Sequence, residues 1–141
     1  MRVARVCPYY YSKPENLDSG LKPYYFNLVK KLSTMGVKQD VFTLESDSGI
    51  KESVFITRKR SRFNYLLFGY DAYRRIKEAG RDYDIIHTHQ ANSFLLYFFK
   101  NKFKSKFVHT IHGSPVAYKK VPLKNFRGLK DMLYFYLFNK Y

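Results

Sequence analysis

The side chains best suited to chemistry are histidines gathered in two short runs. Asp84-Ile85-Ile86-His87-Thr88-His89 and Phe107-Val108-His109-Thr110-Ile111-His112-Gly113 are both β-branched and apolar, and each ends on an imidazole. A helical pattern separates them, so they read as neighbouring parallel strands of an α/β sheet. Ligands of such sheets collect at the carboxyl ends of the strands, which is where His89 and His112 fall. An imidazole placed there meets a polar substrate as a hydrogen-bond donor or acceptor.

Other chemistry is less well served. His87 and His89 alternate onto one face of a strand, and His-x-His with His109 and His112 would be a metal-ligand set. Strand alternation, however, sends His109 and His112 to opposite faces, and no carboxylate or cysteine is placed to complete the shell, so no metal is expected. His87 and His109 read as satisfied core histidines, and a backbone-bonded strand-end residue is the plain alternative for His112. No serine nucleophile elbow, paired acid dyad or Cys-His couple emerges.

A second candidate lies in the loop Asn16-Leu17-Asp18-Ser19-Gly20, between a first strand and a first helix. Free backbone N–H groups and the positive helix end attract phosphate there, with Ser19, Gly20 and Lys22 as the contacting residues. A single glycine also serves a tight turn, and the loop carries neither a dinucleotide fingerprint nor a P-loop. A third candidate is Arg58-Lys59-Arg60-Ser61-Arg62, which precedes the aromatic Phe63, Tyr65, Phe68 and Tyr70. Arg58, Lys59, Arg60 and Arg62 have the composition of an interfacial segment that touches anionic membrane or another polyanion, the alternative being a merely solvated charge run. Lys100, Lys102, Lys104 and Lys106 form a looser cluster of the same sign.

The elements that must position these groups follow from apolar spacing. Val3 to Pro8 reads as a first strand, Tyr9 to Ser19 as a loop, and Leu21, Tyr25, Leu28, Leu32 and Met35 as the stripe of a helix stopped by Gly36. Asp40 to Leu44 and Ser53 to Thr57 read as strands, with a turn or hairpin-like link over Glu45 to Glu52. A helix over Phe63 to Ala79, a strand over Asp84 to Thr88, a helix over Ala91 to Asn101, a strand over Lys106 to Ile111 and a helix over Leu129 to Phe138 complete the order. That alternation predicts an α/β, Rossmann-like, doubly wound and mainly parallel sheet.

The totals agree with one folded domain of 141 residues, 45% hydrophobic and 19% aromatic, far from the composition of disorder. Lys and Arg number 26 against 11 Asp and Glu, a formal charge of +15, so nucleic acid, anionic headgroups and phosphorylated small molecules are the partners its field recruits. Cys7 has no partner for an internal disulfide, and a reducing compartment fits. The amino-terminal run places a second charge, Arg5, inside its apolar stretch and offers no signal peptide. The longest apolar runs are too short to span a bilayer, so any membrane contact is expected to be peripheral, at a cytoplasmic face. The aromatic end, Tyr134 to Tyr141, stops without capping residues and reads as an interruption.

Taken in order, these motifs resemble the amino-terminal domain of GT-B-fold glycosyltransferases, specifically the family 4 type of retaining, nucleotide-sugar-dependent enzymes. Arg2 to Tyr11 is similar to the family's opening strand and Pro-Tyr-x-Pro turn, and Ser19-Gly20 stands where Gly-Gly usually precedes the first helix. Leu28 to Leu32 and Gly36 to Thr43 resemble the pattern that follows, while Tyr83 to His89 and Val108 to Gly113 look like the two later signatures. The resemblance implies an acceptor-side domain whose glycine loop and His112 approach the donor's phosphate and sugar, His112 as a catalytic residue stabilising developing charge. His89 and Gly113 are implied as substrate contacts beside Ser19, Gly20 and Lys22. It implies a nucleotide-sugar donor and a glycan, lipid-linked or phosphorylated acceptor, with no cofactor. Ser19 departs from the family by adding a Cβ where phosphate comes close. The family's second domain, with the nucleotide site and paired glutamates, is not in this sequence, so the chain is expected to be an incomplete, inactive fragment or half of a split enzyme. The alternative, from another class, is a non-catalytic basic Rossmann-like module that binds nucleic acid or anionic membrane.

Overall fold

The computed structural model describes residues 1–18, 20–47, 54–56, 64–89, 93–110 and 112. The chain divides into two compact units, Met1–Thr110 and Ile111–Tyr141. In the first, strands β1 (Arg2–Val6), β3 (Lys38–Thr43), β5 (Val54–Ile56), β6 (Ile85–His89) and β7 (Lys106–Thr110) form a five-stranded sheet in the order β5-β3-β1-β6-β7. Every pairing in it is parallel. A two-residue strand β2 (Tyr9–Tyr10) pairs with a second, β4 (Glu45–Ser46), beyond the carboxyl ends of β1 and β3.

Alternation along the central strands divides the side chains between two faces. Ala4, Val6, Phe42 and Ile86 bury against Phe68, Ala72 and Ile76 of helix α2 (Asn64–Glu78) and Leu96 of the short helix α3 (Phe94–Tyr97). The opposite face carries Cys7 and Val41 beneath Tyr25 of helix α1 (Lys22–Thr34). Helices on both faces explain why the strands tolerate apolar residues at successive positions, as parallel sheets require.

Helix α1 starts at Lys22, and Pro23 falls in its first turn, where a missing N–H costs nothing. Its end is closed by Gly36 N–H donating to Ser33 O at 3.0 Å and Val37 N–H to Leu32 O at 3.1 Å, the pairing of a Schellman motif. Met35, expected on the apolar stripe, is 66% exposed because it already stands past the last helical turn.

Asp40 is a buried acid of this unit, accepting from Tyr83 Oη at 2.7 Å and pairing with Arg81 at 2.7 Å. Burial first, and then the bond to Asp40, push the Tyr83 hydroxyl above its ordinary range.

Two expectations need correction. β3 and β5 pair in parallel, Phe42 opposite Phe55, so their link is a crossover and not a hairpin. Among the described residues of the helix expected over Ala91 to Asn101, the α-helix is Phe94–Tyr97, followed by a 3-10 turn at Lys100–Lys102. From Phe98 onward the amides bond three residues back, Phe99 N–H to Leu96 O at 3.0 Å and Lys102 N–H to Phe99 O at 2.9 Å, so the chain tightens into 3-10 turns in place of a longer α-helix. The helix expected over Leu129 to Phe138 lies outside the described residues.

Candidate functional site

The carboxyl ends of β1, β3 and β6 meet under the segment that joins β1 to α1. That segment is held down from β4. Asp47 Oδ1 accepts from the Ser12 backbone N–H at 2.7 Å and Oδ2 from Asn16 Nδ2 at 2.8 Å and Lys13 N–H at 3.1 Å. Burial pushes the Asp47 carboxyl up, but the hydrogen bonds from Asn16, Ser12 and Lys13 outweigh it and hold the group below the ordinary carboxylate range. Tyr11 Oη donates to Glu45 Oε2 at 2.9 Å beside it. A loop that reads as irregular from sequence is therefore a braced element.

Tyrosines pack together between this loop, α1 and the end of β6. Tyr9 packs on Tyr25 at 5.5 Å between ring centroids, Tyr24 on Tyr25 at 5.6 Å, and both Tyr25 and Tyr24 on His89, at 5.0 and 6.0 Å. Lys22 pairs with Asp18 at 2.8 Å and sits 5.2 Å above the Tyr11 ring, a cation over an aromatic face. Gly20, at φ 67, has open space where a Cβ would stand.

Beneath the tyrosines lies a hydrogen-bonded cluster on the α1 face of the sheet. Arg5 is wholly buried. Its Nη1 reaches His87 Nδ1 at 3.0 Å and His89 Nε2 at 3.1 Å, while Nε and Nη2 donate to Gln39 Oε1 at 3.3 and 2.8 Å. Gln39 Nε2 donates in turn to Val29 O at 2.7 Å, which settles which end of the amide faces Arg5. His87 Nε2 lies 2.7 Å from Thr110 Oγ1 on β7. Burial lowers the Arg5 pKa from its ordinary value, and burial likewise pushes the Cys7 thiol up to about 12, leaving that thiol inert.

Of the expected site residues, the structure describes His89, Gly20, Lys22 and His112. His89 stands at the end of β6 with its ring fully buried behind Tyr24 and Tyr25, not open at the rim. Gly20 and Lys22 lie together on the loop and first helical turn. His87 and His109 are hydrogen-bonded strand residues, His109 Nδ1 at 2.7 Å from Thr88 Oγ1 on the other face. His112 belongs to the second unit and is half-buried, and burial lowers its pKa, favouring the neutral ring. Ser19, Gly113, Arg58, Lys59, Arg60 and Arg62 lie outside the described residues. Among the described residues no three His, Cys, Asp or Glu side chains are grouped to hold a metal ion.

Reasoning from sequence missed Arg5, Gln39, Asp47 and the tyrosine cluster. Arg5 announced itself only as a charge inside an apolar strand. The tyrosines gave no pattern of their own, since Tyr9 and Tyr24 meet only through the fold. A cleft of about 1150 Å³ opens at the opposite, amino ends of β1, β6 and β7, lined in part by Lys77, Arg81, Lys102 and Lys106. It is remote from the strand ends where α/β sheets place their ligands.

A parallel sheet with helices on both faces and a braced loop at its carboxyl rim defines a Rossmann-like α/β half. Residues 19–141 match Glycosyltransferase Family 4, and the chain belongs to that family. Its fold is similar to that of a sucrose-phosphate synthase from Thermosynechococcus elongatus, with a TM-score of 0.64 at 17% identity over 95% of this chain. The chain spans 39% of the length of that structure. No curated protein matches it by sequence. The chain is thus a glycosyltransferase-like module with one GT-B-type half-fold.

Proposed function

We propose that this chain is the acceptor-side half of a retaining, nucleotide-sugar-dependent glycosyltransferase, active when joined by a donor-binding domain. The observation that carries this reading is the convergence at one rim of the braced loop, Gly20, Lys22 and the tyrosine cluster around His89. The exposed Tyr24 ring suits a sugar ring, and Lys22 in the same helical turn suits a phosphate on it. Ser19, Gly20, Lys22 and Gly113 contact substrate, and His112 stabilises charge that develops as the donor's glycosidic bond breaks. Half a cleft cannot align donor and acceptor, so turnover requires the second domain. The acceptor is a glycan, lipid-linked or phosphorylated, which accords with the formal charge of +15. Arg58, Lys59, Arg60 and Arg62 bring the chain to an anionic membrane surface from the cytoplasmic side. No helix among the described residues is long and apolar enough to cross a membrane.

The test is amide chemical-shift mapping with three probes: a sugar phosphate, a nucleotide sugar and a single-stranded oligonucleotide. Shifts at Gly20, Lys22 and Tyr24 with the sugar phosphate, and no nucleotide-sugar hydrolysis by the chain alone, are expected. Turnover of the nucleotide sugar by the isolated chain would overturn the half-site reading. Salt-sensitive oligonucleotide binding with no response to either sugar would replace it with the basic binding module.

A further inference from the structure

Arg5 is an unusual cation. It is wholly buried, and its hydrogen-bond partners, Gln39 Oε1, His87 Nδ1 and His89 Nε2, include no carboxylate. Burying a charge without a carboxylate costs stability and is tolerated where the group does something an apolar residue could not. Guanidinium has no acceptor and does not lose its proton in proteins, so every contact it makes is a donation.

That one-way chemistry fixes the proton on each imidazole. The two N–H bonds of Nη1 point to two ring nitrogens, which must both present lone pairs. His87 with Nδ1 accepting carries its proton on Nε2, and that nitrogen faces Thr110 Oγ1 at 2.7 Å as donor to acceptor. His89 with Nε2 accepting carries its proton on Nδ1. The rings lie on one strand face, 4.1 Å between centroids, so a protonated pair would set two cations side by side next to a third. Tyr24 and Tyr25 of α1 cover His89 from above, and no acidic side chain hydrogen-bonds to Arg5 among the described residues.

We propose that Arg5 positions the two histidines of β6, a buried guanidinium that keeps both imidazoles neutral, His87 as the Nε2–H and His89 as the Nδ1–H tautomer. The assignment rests on the register of β1 and β6 and on these distances, and is independent of the ligand in the proposed function.

Long-range proton–nitrogen NMR of the full chain tests it without any sugar. Wild type at neutral pH is expected to show one tautomer for each ring, with the proton on Nε2 of His87 and on Nδ1 of His89. Arg5→Met should lose the single-tautomer pattern, and Arg5→Lys, which keeps a buried donor cation, should restore it at least in part. Wild-type spectra with His89 protonated on Nε2, or on both nitrogens, would overturn the proposal whether or not the variants fold. Single tautomers in a protein that ignores sugar phosphates would leave Arg5 in its role and sink the acceptor-site reading alone.

Discussion

Gly69 on α2 meets the backbone of α3 so closely that a Cβ at Gly69 would stand 2.6 Å from the Leu96 nitrogen and 2.9 Å from Leu95 Cβ. This contact lets α2 and α3 share the sheet face that buries Phe68 and Leu96. Replacing Gly69 with alanine gains helix propensity of roughly 1 kcal/mol. The new methyl meets backbone, which cannot step aside, and overpacking of that kind costs about 1–3 kcal/mol. Net destabilisation, read as a lower denaturant midpoint, is the expected result. An unchanged or raised midpoint would mean that α3 does not dock as described.

Asp47 should make the loop above the rim sensitive to acid. Its folded-state pKa is depressed, so its contribution is present above the unfolded value and fades as pH falls through the folded one, below about pH 4. The carboxylate is half-buried and reached by solvent, so the global effect is small and the local one large. Asp47→Ala should speed amide exchange at Ser12 and Lys13 with little change in unfolding midpoint. Equal exchange rates in the two proteins would remove Asp47 as the brace.

His112 is to be tested in an enzyme reconstituted with a family 4 donor-binding domain. His112→Ala is expected to lower turnover by about a hundredfold, the usual loss when one group that stabilises developing charge is removed. Because burial lowers the His112 pKa, the neutral ring persists to more acid pH than an ordinary histidine allows. Activity limited by this group should therefore fall only below the ordinary imidazole range as pH drops. Full turnover by the alanine variant would take the catalytic role from His112.

The basic segment is testable on the chain alone. Neutralising Arg58, Lys59, Arg60 and Arg62 together should weaken sedimentation with phosphatidylserine vesicles, by about 1 kcal/mol for each charge near the surface. Added salt should have the same effect on the unaltered chain. Vesicle binding that survives the fourfold change would place the membrane contact elsewhere or nowhere.

What could be read from sequence was what depends on neighbours along the chain. The apolar runs ending in His89 and His112, the helical stripe through Tyr25 and Leu28, and the apolar spacing of Phe68, Ala72 and Ile76 identify the α/β alternation, because strand and helix periods are local properties. They located β6 and β7 to within a residue and placed His87 beside His89 on one face. Length of the third helix and the sense of the β3–β5 pairing were misread, since both are settled by packing against partners distant in sequence.

Only the tertiary structure decided what surrounds the histidines. Arg5 is 82 residues from His87 and 34 from Gln39, yet adjacent strands set all three on one face, so a lone charge in an apolar strand became the centre of a network. Tyr24 and Tyr25 cover His89 because α1 crosses that same face. Register and helix docking carry this information, and neither is written in the spacing of any single segment.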